Sequence, residues 1–174
     1  MGAESSSVYH SFIRFGTTGH VTADNGGAQV NQTELQKMAQ ERLKDAQTLI
    51  EGGRWEFAYY AAGYAVECAL KSCILSRMIH TGWVFEEKWE AKLCLTHEIP
   101  KLVQLAGLTD QLNVDLKKSA AADKEFAVNW ETAKSWTVTS RYATKTEADA
   151  KKLYAASPRN HTGCFNGYGP IGRE

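Results

Sequence analysis

This chain has little of what usually announces an active centre or a compartment. Its 20 basic and 20 acidic side chains cancel, so no global field draws it to nucleic acid or to an anionic membrane. Its four cysteines, Cys68, Cys73, Cys94 and Cys164, form neither a C-x-x-C pair nor a dense disulfide spacing. Reduced thiols in a cytoplasmic protein are the expectation. The longest apolar stretch is interrupted by Glu67 and Lys71, which makes it a core helix rather than a membrane span. The first residues, with Glu4, three serines and His10, lack the basic and apolar zones of a secretory signal. There is no phosphate-binding glycine loop, no Ser-His-Asp constellation, no paired-carboxylate motif and no internal repeat. No cofactor is implied. With 174 residues, 43% of them hydrophobic, the chain has the size and composition of one globular domain with a sizeable core.

What is present is concentrated in residues 54–78, RWEFAYYAAGYAVECALKSCILSRM. From Trp55 to Ile74 this run is apolar or small on almost every side, broken mainly by Glu56, Glu67 and Lys71. A surface helix carries one apolar stripe, whereas a helix apolar all round is surrounded by others. Glu67 and Lys71 stand four apart, in the order that favours an ion pair on a helix. Buried, such a pair needs further partners to offset its desolvation.

Around that segment the spacing predicts an all-α, antiparallel bundle of four to five helices over residues 33–156. A Gly/Ser/Thr/Asn-rich arm (1–32) precedes it and a Gly-rich tail (157–174) follows, both expected to be flexible. Thr33-Glu34-Leu35-Gln36 matches a capping box, and Leu35, Met38, Leu43, Ala46 and Ile50 then recur at helical spacing until Gly52-Gly53 stops the run. The next helix, from about Arg54 to about Ile79, should fold back on the first as a hairpin. A connection follows at Trp83–Lys92. Thr96 reads as the cap of a helix at His97–Ala106, with Asp110–Ala121 as the next. Lys124–Tyr142 carries Phe126, Trp130, Trp136 and Tyr142 without a clean period and reads as an aromatic segment laid across the bundle. Thr146–Ala156 is the last helix.

The order of these features resembles the HEPN domain family of small helical bundles. The residues that carry the resemblance are Ala46 to Ile50 before Gly-Gly-Arg-Trp, Ala58-Tyr59-Tyr60-Ala61-Ala62, and Ala65-Val66-Glu67-Cys68-Ala69-Leu70-Lys71. Thr96-His97 leading to Leu102, then Ala106-Gly107-Leu108, and Arg141-Tyr142 complete it. The resemblance implies a homodimer formed through the long helices. It also implies either metal-independent RNA cleavage, or nucleotide or RNA binding beside a nucleotidyltransferase-like protein partner, in toxin–antitoxin and defence systems. The ribonuclease members carry an Arg followed, after four to six residues, by a His. Here Arg77 and His80 lie too close together, Arg159 and His161 closer still, and Lys92 and His97 lack the guanidinium. Arg14 and His20 have the spacing but lie in the arm. The expectation is therefore a binding module without the usual ribonuclease motif. The alternatives are a ribonuclease with a displaced site at His97 with Arg54 or Arg141, and a purely structural interaction module.

The ligand-binding candidates are Glu67, Lys71, Arg141 and Tyr142. Arg141 is the expected third member of a buried polar lock with Glu67 and Lys71. Arg54 and Arg141, beside Trp55 and Tyr142, suit either phosphate binding or ring packing. His97 reads first as a residue at a helix start. Tyr59, Tyr60 and Tyr64 read as core or interface residues before base-stacking ones. Cys73, His80, Cys94 and His97 do not have a zinc-ligand spacing, and no metal is expected.

Overall fold

A computed structural model of the chain describes residues 31–81, 95–121 and 124–157, with the side chains of 80, 81 and 119–121 outside that description. Residues 1–30 of the expected arm, 158–174 of the expected tail and the Trp83–Lys92 connection lie outside the described residues, as do Arg14, His20, Lys92, Cys94, Arg159, His161 and Cys164, whereas Gln32 already belongs to the first helix. The helices are α1 (Gln32–Glu51), α2 (Trp55–Thr81), α3 (Ile99–Leu105), α4 (Thr109–Ala121), α5 (Glu125–Lys134) and α6 (Glu147–Ala156), with a 3-10 helix at Val138–Tyr142 before α6. Among the described residues there is no strand. The chain folds as an all-α bundle with one helix more than the sequence signals suggest.

The cap of α1 is Asn31, two residues before the expected Thr33. Its side chain accepts from the Glu34 amide at 3.0 Å, and the Glu34 carboxylate accepts from the Asn31 amide at 2.9 Å, so two otherwise orphaned donors are satisfied together. Leu35, Ala39, Leu43 and Ala46 form the buried stripe. Gly53 closes the helix at φ +71°, its amide donating to the Ile50 carbonyl while that of Arg54 donates to Leu49. A residue with a Cβ is strained in that left-handed turn. The chain then returns at once as α2. Ala39 packs with Cys68 and Ala69 far from the turn, so the two helices run antiparallel along one another.

α2 is the hub: α1, α3, the 3-10 helix and α6 all pack on it. Its alanines and Gly63 set the closeness of that packing. A Cβ on Gly63 would lie 2.1–2.3 Å from the indole of Trp136, which is 1% exposed and has Tyr60 tilted against it at 6.0 Å. The aromatic segment expected at Lys124–Tyr142 is thus α5, then a buried Trp136, then a 3-10 turn. On α5 only Ala133 is buried, while Phe126 and Val128 face outward, so no apolar stripe was there to be read. The helix read from His97 starts at Ile99, with Glu98 at its N-cap and no side-chain cap bond. Thr96 instead accepts from the Glu98 amide at 3.1 Å. Arg77 of α2 donates to the Leu105 carbonyl at 2.8 Å, which ties the end of α3 to the hub.

Candidate functional site: a buried carboxylate shared by a lysine and a histidine

Glu67 lies on the inner side of α2 and is only 2% exposed. Its Oε1 accepts from Lys71 Nζ at 2.8 Å, the one-turn spacing anticipated. The third member is His97. Its Nδ1 lies 2.9 Å from Glu67 Oε1 and 3.0 Å from Oε2. Lys71 and His97 are 15% and 32% exposed, so the carboxylate is at the bottom and the imidazole forms the rim. His97 is brought there by the extended turn Leu95–Glu98 just before α3, while Ile99, Leu102 and Val103 anchor α3 in the core. Its ring therefore serves α2 rather than the start of its own helix.

Arg141 does not complete this lock. It sits at the surface end of the 3-10 helix, whose inward residue is Ser140. Its guanidinium lies 4.9 Å from the ring centroid of Tyr142, itself 79% exposed. Arg54 likewise lies over a ring, that of Phe57 at 5.5 Å rather than Trp55. Neither arginine shares a contact with His97. A 3-10 turn points successive side chains in quite different directions, so burying Ser140 sends both Arg141 and Tyr142 outward.

A polar seam continues from Glu67 into the hairpin. The Tyr64 phenol and the Cys68 thiol are close enough to shift one another's titration, and the Tyr64 ring stacks on Tyr60 at 6.2 Å. Burial above all, then the charge of Glu67, pushes the Cys68 thiol up to about 11. Burial, with Cys68 and Glu67 beside it, pushes the Tyr64 phenol up to about 12. Both groups are held neutral, so Cys68 is a structural thiol rather than a reactive one. Arg42 of α1 lies close by: its Nη1 pairs with Asp45 at 2.9 Å and its Nε is enclosed with no hydrogen-bond partner.

A separate shallow groove of about 330 Å³ runs between α5 and α6, lined among others by Tyr59, Ser135, Lys145 and Lys152. Lys145 Nζ lies 4.3 Å from the centroid of the Tyr59 ring. The groove includes none of the Glu67, Lys71 and His97 cluster. Among the described residues, no three His, Cys, Asp or Glu side chains converge as a metal site, and no helix is long and apolar enough to cross a membrane.

Fold and site together define a helical-bundle module with a polar triad built on its central helix. The HEPN domain model matches residues 33–84, the stretch that contains the α1–α2 hairpin, Glu67 and Lys71, and so meets the resemblance read from the sequence. No curated protein and no solved structure matches the chain.

Proposed function

We propose that the chain is a homodimeric HEPN-like module that binds a nucleotide or RNA at the rim of the Glu67, Lys71 and His97 cluster, without the usual ribonuclease motif. On this reading it works in a toxin–antitoxin or defence-type system, beside a nucleotidyltransferase-like protein. The observation that carries it is the arrival of His97 on a carboxylate buried in the very segment that matches the HEPN domain. His97 is the further partner that the buried pair needs, and its ring, 32% exposed, also adds a half-open polar edge. Binding is favoured over cleavage because no arginine joins the triad. Metal-independent phosphodiester cleavage asks for a cation to stabilise charge developing on the phosphate. Here the lysine is already engaged with Glu67.

The test is incubation of the protein and its His97→Ala variant with total RNA and with transfer RNA, following both binding and integrity. Retention of intact RNA, weakened at least tenfold by His97→Ala, is the expected result. A discrete cleavage pattern abolished in the variant would replace the binding reading with the ribonuclease one. RNA and nucleotides left unbound by both forms would refute it in favour of a protein-docking module.

A further inference from the structure

The geometry points to a second binding site in the groove between α5 and α6, where Lys145 and Lys152 hold the phosphate group of a small phosphorylated molecule beside Tyr59. The groove shares no residue with the Glu67, Lys71 and His97 cluster, so this site stands apart from whatever the rim takes. Its volume of about 330 Å³ is at the lower end of small-molecule sites. That is room for a phosphate on a short organic stem, and too little for a folded macromolecule. Tyr59, which belongs to the hub helix and is only 5% exposed, forms the base. Thr132 and Ser135 line the groove from the α5 side, and Asp149 and Lys152 from α6.

The polar side chains along the groove divide into those already engaged and those left over. The Thr132 hydroxyl donates to the Val128 carbonyl at 2.9 Å, and that of Ser135 to the Thr132 carbonyl at 2.7 Å. The Glu131 carboxylate takes Lys134 at 2.6 Å. The Asp149 carboxylate accepts from the Thr146 amide at 3.0 Å and from its hydroxyl at 2.7 Å. Lys145 and Lys152, by contrast, make no ion pair among the described residues. Lys145 Nζ lies 4.3 Å from the centroid of the Tyr59 ring, so a buried aromatic face, rather than a carboxylate, holds this cation in the groove. Both lysines are close enough to Asp149 to add to the Thr146 bonds that hold its carboxyl below the usual range. With Glu131 balanced by Lys134, two ammonium groups face one carboxylate, and the groove keeps an excess of positive charge. A phosphomonoester is largely doubly charged near pH 7 and can accept from two lysines at once. A carboxylate brings half that charge.

The test is a titration of the full chain with inorganic phosphate, glycerol phosphate and acetate at constant ionic strength, followed by backbone amide chemical shifts. Phosphate should move the signals of Thr132, Ser135 and Asp149 and approach saturation by about 10 mM. Lys145→Gln and Lys152→Gln should each weaken this about tenfold, the loss of one charge-assisted hydrogen bond. Lys134→Gln removes the same charge from outside the groove and should change affinity by less than about twofold. His97→Ala should change nothing, which separates this site from the rim. Circular dichroism confirms that each variant keeps its helices. Shifts that never saturate, or that survive both groove substitutions, would overturn the site. An equal loss in Lys134→Gln would reduce it to general charge and overturn it as well. Acetate bound as tightly as phosphate would overturn the phosphate assignment. Glycerol phosphate bound at least as tightly as inorganic phosphate is the expected result, and inorganic phosphate alone would overturn the organic stem.

Discussion

At the scale of single residues, two glycines of the hairpin do opposite jobs. Gly53 is needed for its backbone: at φ +71°, the nearest neighbour to an added Cβ is an ordinary 3.8 Å away. Gly63 is needed for the space it leaves, since Trp136 occupies the place of its missing side chain. Replacing Gly63 with Ala would gain about 1 kcal/mol of helix propensity. Displacing a fully buried indole costs more, about 3 kcal/mol or above. The clash wins, and Gly63→Ala should lose about 2 kcal/mol net, read as a lowered midpoint in urea unfolding. The seam residues make a second prediction. Cys68 and Tyr64 titrate in the folded chain near 11 and 12 instead of their ordinary 9.0 and 10.0. Above pH 9 the unfolded chain therefore releases protons that the folded chain keeps, so stability is full below that pH and is lost as pH rises toward 12. Thermal melts between pH 8 and 11 should show this loss, and Cys68→Ala combined with Tyr64→Phe should flatten it.

At the scale of elements, helix ends hold the bundle in register. The left-handed Gly53 turn sets where α2 begins relative to α1, and Gly53→Ala should cost about 1 kcal/mol through backbone strain alone, measured by the same unfolding assay. At α6 the cap is Thr146, whose hydroxyl accepts from the Asp149 amide at 3.2 Å, while Asp149 accepts from the Thr146 amide at 3.0 Å and its hydroxyl at 2.7 Å. These bonds hold the Asp149 carboxyl below its usual range. Its contribution is present above pH 4 and fades as acid protonates it. The far end of α6 is tied to its neighbours by Ser157, which donates to Leu153 at 2.8 Å and to the Ala62 carbonyl of α2 at 3.4 Å. The Tyr154 hydroxyl reaches Gln47 of α1 at 3.1 Å. α3 is similarly fixed by Arg77, and this is what holds the preceding turn, with His97, against Glu67.

At the scale of the whole molecule, the described helices bury α2 within one chain, yet Phe57 at 53% and Ile79 at 71% remain exposed on it. We expect the protein to associate as a homodimer, with light scattering giving twice the 19.3 kDa chain mass. A mass of one chain at micromolar concentration would remove the dimer from the proposed function while leaving the His97 rim untouched. The net charge of zero sets a further condition on RNA binding. With no general attraction to polyanions, affinity should depend on few phosphate contacts and fall only shallowly with salt.

The sequence by itself determined the helical class, the α1–α2 hairpin and the Glu67–Lys71 pair, because each follows from spacing along one helix or from glycines that end it. Trp55 to Ile74 reads as a central helix since it is apolar on nearly every side, and that needs no knowledge of its neighbours. Only the tertiary structure decided that His97, thirty residues further on, completes the pair in place of Arg141. Contacts at that separation depend on where the intervening chain turns, which no local period encodes. The same holds for Trp136: its aromatic character was visible, but its seat on Gly63 requires two distant segments to meet. α5 was hidden for a third reason, because a helix that buries little more than Ala133 leaves no apolar stripe in the sequence to mark it.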